Sequence, residues 1–339
     1  MYLNEHFKKY KGIDPFNDII GQNFVKGEIL SALIMNRHIL LVGAPGIGKT
    51  TLAKNIAFLL PEIEVNDCGF NCMNEKIICP RCKNNVKHKK IRLNGAERFI
   101  RIQGSPDLTA EDLIGDIDPI KALEFGPLNI ESFTPGKIFK ANQGVLFFDE
   151  LNRAPEKLQN ALLQVLEERK ATIGSYTVDI ETDFIFIATM NPDDFSGTEK
   201  LSEVLLDRLD LVYVKYPENI ENELKIIEIK GKRLKEVEFN KELLKIVLGF
   251  IHELRMNKDI ERAPSVRASL GLYERAQANA FLRSSKKVEI DDIINALFSV
   301  ISHRIRLKPS IRYLMNEKEF IKKTFNEFLK QRKEKGEIP

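Results

Sequence analysis

No stretch of this 339-residue chain approaches the roughly 18 consecutive apolar residues that a membrane-spanning helix needs. The start, Met1-Tyr2-Leu3-Asn4-Glu5-His6, lacks the apolar stretch of a secretory leader. A soluble, cytoplasmic protein is expected. Net charge is also scarce, at +3 from 52 basic and 49 acidic residues. That is too little to hold nucleic acid by bulk charge, although a local basic stripe would still do so. With 19 glycines and 14 prolines, a collagen-like or low-complexity chain is excluded. Cysteine is missing everywhere except at Cys68, Cys72, Cys79 and Cys82. In a reducing cytosol so tight a group reads better as a metal site than as a structural disulfide. There is no internal repeat and no long linker. What is present is 43% hydrophobic and 30% charged, enough to build a core and to exclude disorder as the main state. The length fits one large or two moderate domains.

Short apolar runs mark buried strands at His38–Val42, Phe99–Ile102, Val145–Phe148, Phe184–Ala188 and Leu211–Val214. Helical patterns separate them. After Pro155, Leu158, Ala161, Leu162, Val165 and Leu166 recur at helical spacing. This alternation predicts an α/β domain over residues 1–216, built on a mostly parallel sheet with helices on both faces. Beyond Pro217 no convincing strand follows. Helices are expected near 220–237, 241–256, 265–284 and 291–304, the last capped by Asp291. Residues 217–308 therefore read as a small all-α domain. The charged tail, 309–339, places Ile321, Phe325, Phe328 and Leu329 on one helix face. That face suits packing on its own domain or docking on a partner.

Gly43-Ala44-Pro45-Gly46-Ile47-Gly48-Lys49-Thr50 matches G-x-x-x-x-G-K-[ST] in full. A buried strand precedes it and an apolar helix, starting at Thr51, follows. Glycines let the backbone curl so that several N–H groups face one phosphate. The start of the following helix adds its partial positive charge. In such a loop Lys49 bridges the β- and γ-phosphates and the Thr50 hydroxyl ligates Mg²⁺. The strand ending in Asp149-Glu150 supplies the acidic partner. Asp149 would hold the Mg²⁺ through water, and Glu150 would orient or deprotonate the attacking water.

Together these features resemble an AAA+ ATPase, specifically the MoxR and magnesium chelatase ATPase-subunit branch. The resemblance covers about residues 14–305. Glu150-Leu151-Asn152-Arg153-Ala154-Pro155 is similar to the D-E-x-N-R-A-P stretch of MoxR ATPases, and Thr189-Met190-Asn191-Pro192 to their sensor 1. Leu205-Leu206-Asp207-Arg208 resembles the L-L-D-R segment that carries an arginine finger. Ser265-Val266-Arg267-Ala268 resembles the sensor 2 segment S-P-R-A, with valine in place of proline. Ile20-Gly21-Gln22 resembles the I-G-Q beside the adenine pocket. The resemblance implies a P-loop nucleotide-binding domain followed by a helical lid. Asn191 would hold the lytic water. Arg208 would reach the γ-phosphate of a neighbouring subunit, although a surface arginine paired with Asp207 or Asp210 fits the same residues. Arg267 would sense ATP from within the chain, and Arg153 would be a second arginine acting in trans. A homo-oligomeric ring is implied, with six subunits as the expectation, and a client protein that carries a von Willebrand factor A-type domain. Two insertions resemble the branch's hairpins: 112–139, with little helical periodicity, and 171–180, which alternates around Gly174-Ser175.

The cysteine spacing, C-x3-C-x6-C-x2-C, lies in an insertion spanning 64–92. Cys79-Pro80-Arg81-Cys82 has the knuckle form of a zinc ribbon. Zn²⁺, free thiols and a redox-sensitive pair all fit the spacing. Lys83, Lys87, His88, Lys89, Lys90 and Arg92 make the flank basic. The leading functional reading is an ATP-driven remodelling or metal-insertion chaperone. The alternatives are a nucleic-acid motor related to ring helicases and a nucleotide-gated scaffold. A protease chain is not expected, since no proteolytic domain follows the lid.

Overall fold

The computed structural model describes residues 3–84, 88–127, 129–172, 179–191 and 201–336. The five apolar runs pair into one parallel sheet: β1 (His38–Val42), β2 (Phe99–Gln103), β3 (Val145–Asp149), β4 (Ile185–Met190) and β5 (Leu209–Tyr213), in the order β5-β1-β4-β3-β2. All four pairings are parallel. Parallel strands are covered on both faces, which is why β1, β3 and β4 read as nearly continuous apolar runs rather than as alternations. Every residue of Val145–Phe148 and Ile185–Ala188 is buried. Parallel pairing also puts all carboxyl ends on one edge, where ligands of open α/β sheets bind.

Two helices matter most here. The first, α1 (Lys49–Phe58), follows the glycine-rich loop. The second, α2 (Glu156–Glu168), starts after Pro155 and buries Leu158, Leu162, Val165 and Leu166. Between α1 and β2 the chain leaves through an antiparallel ribbon, Ile63–Asn66 paired with Lys90–Leu93. A second ribbon pairs Gly115–Ile117 with Phe133–Pro135. A third pairs Lys170–Thr172 with Asp179–Glu181. It flanks the hairpin expected at 171–180, whose residues 173–178 lie outside the described residues, as do Lys87 and Pro192.

The chain divides into two units. One comprises 1–19, 23–43 and 48–214, the other 20–22, 44–47 and 215–339. In the second unit α4 (Lys241–Met256), α5 (Val266–Leu282), α6 (Ile290–Ile301) and α7 (Glu317–Glu334) share one core, and α3 (Ile220–Lys230) packs on α4 in a smaller cluster of Leu224, Ile227, Leu244 and Leu248. Phe250 of α4 meets Phe325 of α7 edge-on at 4.8 Å, so the charged terminal helix is packed on its own unit.

Four expectations need correction. The second unit is helical but also holds a short antiparallel ribbon, Ile260–Arg262 with Arg306–Leu307. Helix α3 stops at Lys230, because Gly231 follows and the next amides find acceptors on α5: Lys232 N–H at Glu274 Oε1 (3.1 Å) and Leu234 N–H at Gln277 Oε1 (3.0 Å). Glu289, not Asp291, caps α6, since Asp292 at the third helical position closes a reciprocal box by accepting from the Glu289 N–H at 2.8 Å. The stretch expected to lack helical character contains Pro119–Phe125, a helix begun by Asp118, whose carboxylate accepts from the Ile120 and Lys121 amides.

Candidate active site

Glycine chemistry shapes the loop after β1. Gly43 N–H donates to Met190 O at the end of β4, at 3.2 Å. Gly46 and Gly48 have φ of +76° and +103°, a region that side chains other than glycine's rarely enter. Gly48 caps α1 and has no side chain to offer its first-turn amides. Those N–H groups, and the helix's positive end, are left to face an anion. Lys49 Nζ donates to Gly43 O, folding back across the loop. Thr50 and Thr51 follow in the first turn of α1.

The loop tip, Ala44–Ile47 with Pro45, groups with the second unit, as do Ile20 and Gly21. A Cβ on Gly46 would fall 2.7 Å from Ser265 Oγ and 3.1 Å from Arg267 Cδ. Arg267, at the start of α5, therefore lies beside the tip. Gly21, with φ +66°, lies against Asn222, and Gln22 Nε2 donates to Lys215 O at 2.6 Å.

On the acidic side, β3 and β4 end together. Thr189 Oγ1 donates to Asp149 Oδ1 at 2.7 Å and accepts from the Glu150 N–H at 2.8 Å. Arg101 Nη2 donates to Asp149 Oδ2 at 2.6 Å. Glu150 has φ +58°, a strained conformation for a non-glycine residue of the kind that clusters at active sites. Its Oε2 accepts from Gln103 Nε2 (3.1 Å) and pairs with Arg153 Nε (3.2 Å). Asn191 is buried directly after β4. Because β4 lies between β1 and β3, Asn191 leaves the sheet between the loop and Asp149-Glu150. Thr50 and Asp149 offer hard oxygen donors at this edge, which suits Mg²⁺.

Arg208 is elsewhere. Its Nε donates to Glu167 Oε1 at 2.7 Å and its Nη1 to Asp207 Oδ2 at 2.6 Å. Asp210 pairs instead with Arg37 at 2.7 Å. Three site residues carried no sequence signal that marked them. Arg101 and Gln103 are the exposed members of an alternating strand. Gly104 lies so close to the next turn that a Cβ there would fall 2.0 Å from Glu150 O. A glycine directly after a strand is the one hint available for it.

Models of three families match along the chain: magnesium chelatase subunit ChlI over residues 15–91, the ATPase family associated with various cellular activities (AAA) over 82–211, and the AAA lid domain over 252–323. The magnesium-chelatase subunit ChlI homolog of Methanocaldococcus jannaschii is 29% identical, across 94% of this chain and 92% of its own. The chaperone MoxR1 of Mycobacterium tuberculosis is 28% identical, across 85% of this chain and 73% of its own. These matches support the MoxR/magnesium chelatase branch of AAA+ ATPases for this chain. The fold agrees with a solved complex between subunits BchI and BchD of magnesium chelatase, based on single-particle cryo-EM. A chain of that complex superposes with TM-score 0.51 at 21% identity, over 88% of this chain and 98% of that one.

The chain also buries its four cysteines. Cys68, Cys72, Cys79 and Cys82 are all in the core of the first unit, and their Sγ atoms lie within 4.8 Å of one another. None is in a disulfide. A tetrahedral Zn²⁺ with Zn–S bonds of about 2.3 Å sets S···S edges of about 3.8 Å, so the group fits the ion. Hydrogen bonds from Cys72 and Cys79 pull the Cys68 thiol below its ordinary range, and the bond to Cys68 pushes Cys79 up.

Proposed function

We propose that the protein hydrolyses ATP to ADP and phosphate in a cytoplasmic ring of identical chains, six by resemblance, and uses the cycle to remodel a partner protein. Gly43–Thr51 bind the phosphates, and Ile20 and Gly21 border the adenine. Thr50 and Asp149 hold Mg²⁺, which when bound neutralises phosphate charge. Glu150 orients the attacking water and takes its proton, Asn191 holds that water, and Arg267 contacts the nucleotide from the lid. A structural Zn²⁺ on Cys68, Cys72, Cys79 and Cys82 completes the bound groups in this reading. The partner is a protein carrying a von Willebrand factor A-type domain. The BchI–BchD pairing in the solved complex and the chaperone name of the mycobacterial relative support a protein client. Among the described residues no helix is long and apolar enough to cross a membrane.

One observation carries the ring. In the parallel register His38 faces Leu209 and Val42 faces Tyr213. Arg208 therefore flanks β5 at the edge where β1 begins, whereas the phosphate loop leaves β1 at the other edge. Strand rise puts the two roughly 15–20 Å apart. Arg208 is too far from its own loop to touch the γ-phosphate, so a role for it in catalysis requires a neighbour's site.

Steady-state ATP hydrolysis tests this against protein concentration. Specific activity should rise with concentration, and Arg208→Ala should lose about 10³–10⁵-fold in rate. Mixing Arg208→Ala with Lys49→Ala should restore activity, because each chain supplies what the other lacks. Flat activity with no rescue on mixing would overturn the shared site. A DNA-stimulated rate with a steep salt slope would favour the nucleic-acid motor instead.

A further inference from the structure

We infer that the four cysteines close a structural Zn²⁺ knot, and that this knot clamps the Gly115–Ile117/Phe133–Pro135 hairpin to the chain entering the catalytic strand β3. The clamp rests on the zinc reading above and adds a mechanical role to it.

The metal comes first. Among the described residues the group offers four sulfur donors and no other ligand type, a set that selects zinc or an iron–sulfur cluster. Four N–H groups point at these sulfurs from 3.4 Å: Ile78 and Cys79 amides at Cys72, the Cys82 amide at Cys79, and Asn66 Nδ2 at Cys82. Amide donors aimed at sulfur stabilise thiolate over thiol. Thiolates packed together in an apolar core need a cation among them. The short Pro80–Lys83 helix, capped by Cys79, gives the second pair a knuckle, which favours zinc.

The clamp follows from what lies between the ligands. Phe70, between the first two cysteines, stacks on Phe133 of the hairpin at 6.3 Å and packs on Phe139 at 5.0 Å. Gly69, with φ +79°, sits so close to the hairpin that a Cβ would fall 2.8 Å from Pro135 Cγ. Arg81, between the last two cysteines, pairs with Glu131 at 2.5 Å and donates to its backbone oxygen at 3.2 Å. Each half of the knot thus grips the hairpin side. The same loop grips the approach to β3: Asn71 Nδ2 donates to Lys140 O and Asn142 Nδ2 to Phe70 O, both at 2.9 Å. Three residues after Asn142, β3 begins, and it ends at Asp149. The hairpin and the catalytic strand are therefore fastened to one metal-tied loop.

The test uses the full chain purified under reducing conditions. Elemental analysis should give about one zinc per chain, and Co²⁺ in its place should show the visible bands of a tetrahedral tetrathiolate site. Zinc is then stripped with a mercurial and a chelator, and restored. Hydrogen exchange at 115–117, 133 and 134 should lose protection on stripping and regain it on restoration, while exchange in α4 stays constant. Phe70→Ala, which keeps every ligand, should retain zinc and still lose hairpin protection. Absence of zinc and of Co²⁺ bands, with fluorescent ADP still binding, would overturn the metal site and leave the ATPase reading standing. Iron with sulfide would overturn the zinc assignment. Bound zinc whose removal leaves hairpin exchange unchanged would overturn the clamp.

Discussion

Two polar clusters buried among the described residues, one in each unit, are neutralised differently. In the helical unit Glu223 is fully buried, and its carboxylate receives Arg255 Nη1 and Nη2 at 2.6 and 2.8 Å, His252 Nε2 at 2.8 Å, and the Ser269 hydroxyl. Opposite charge and hydrogen bonds come from the same chain, so the cluster is complete as folded. In the α/β unit the four cysteines offer acceptors of one kind. Among the described residues their polar partners are N–H groups and one another. The first cluster ties α3, α4 and α5 together by itself. The second, on the zinc proposal, is completed by an ion from solution. A core can therefore take polar groups either in complementary sets or in like sets, and only the like set makes folding depend on a ligand.

The sharpest way to break the comparison is Glu223→Ala. It leaves the buried Arg255 without its partner, at an expected cost of ~3–5 kcal/mol. Urea unfolding followed by a probe in the helical unit should show it, with or without chelator. Acid gives the next effect. Burial pushes the Glu223 carboxyl up, but the bonds from His252, Arg255 and Ser269 outweigh it and hold the pKa at about 2. A depressed carboxylate stabilises the fold above its unfolded value near 4.5 and loses that contribution as pH falls toward 2. It is worth about 3 kcal/mol by linkage. Glu223→Gln should flatten this part of the stability–pH curve; a curve that keeps its slope would remove Glu223 from the account. On the sulfur side, Asn66→Ala removes one donor to Cys82 and should weaken zinc retention about 10–100-fold in a chelator competition. The smallest effect is expected for the joint swap Glu223→Leu, Arg255→Met and Ser269→Ala, which removes the buried hydroxyl together with its acceptor. Replacing both charges by apolar groups should leave stability within about 1 kcal/mol of wild type, because neither is then left unpaired. A large loss would mean that the cluster specifies the lid's packing as well as neutralising itself.

Local chemistry made the core of this molecule readable. The phosphate loop, Asp149-Glu150 and the five strands announce themselves because each needs particular residue types in sequence order. What stayed hidden depends on residues far apart in the chain. Arg101 and Gln103 acquire roles only when β2 lies beside β3 and brings them to Asp149 and Glu150. Gly104 is required only because Glu150's carbonyl passes over it. Glu167 meets Arg208 across 41 residues, and no spacing rule encodes that. The helix at Pro119–Phe125 is illegible for another reason: its Ile120 and Leu123 are 79% and 91% exposed, so its apolar residues follow no buried face. The cysteine spacing left zinc, thiols and disulfides open, and clustering of the sulfurs narrows the choice by geometry.

The ribbon at the base of the cysteine segment has a consequence for engineering. Asn66 is paired with Lys90, so residues 67–89 leave and rejoin the scaffold at adjacent points, about 5 Å apart in an antiparallel pair. A two-residue turn such as Asn-Gly spans that distance. Such a turn would close the backbone but would strip Phe70, Ile78 and the four cysteines from the core that also holds Phe139 and Phe148, so the insertion is part of the first unit's interior and not a detachable loop.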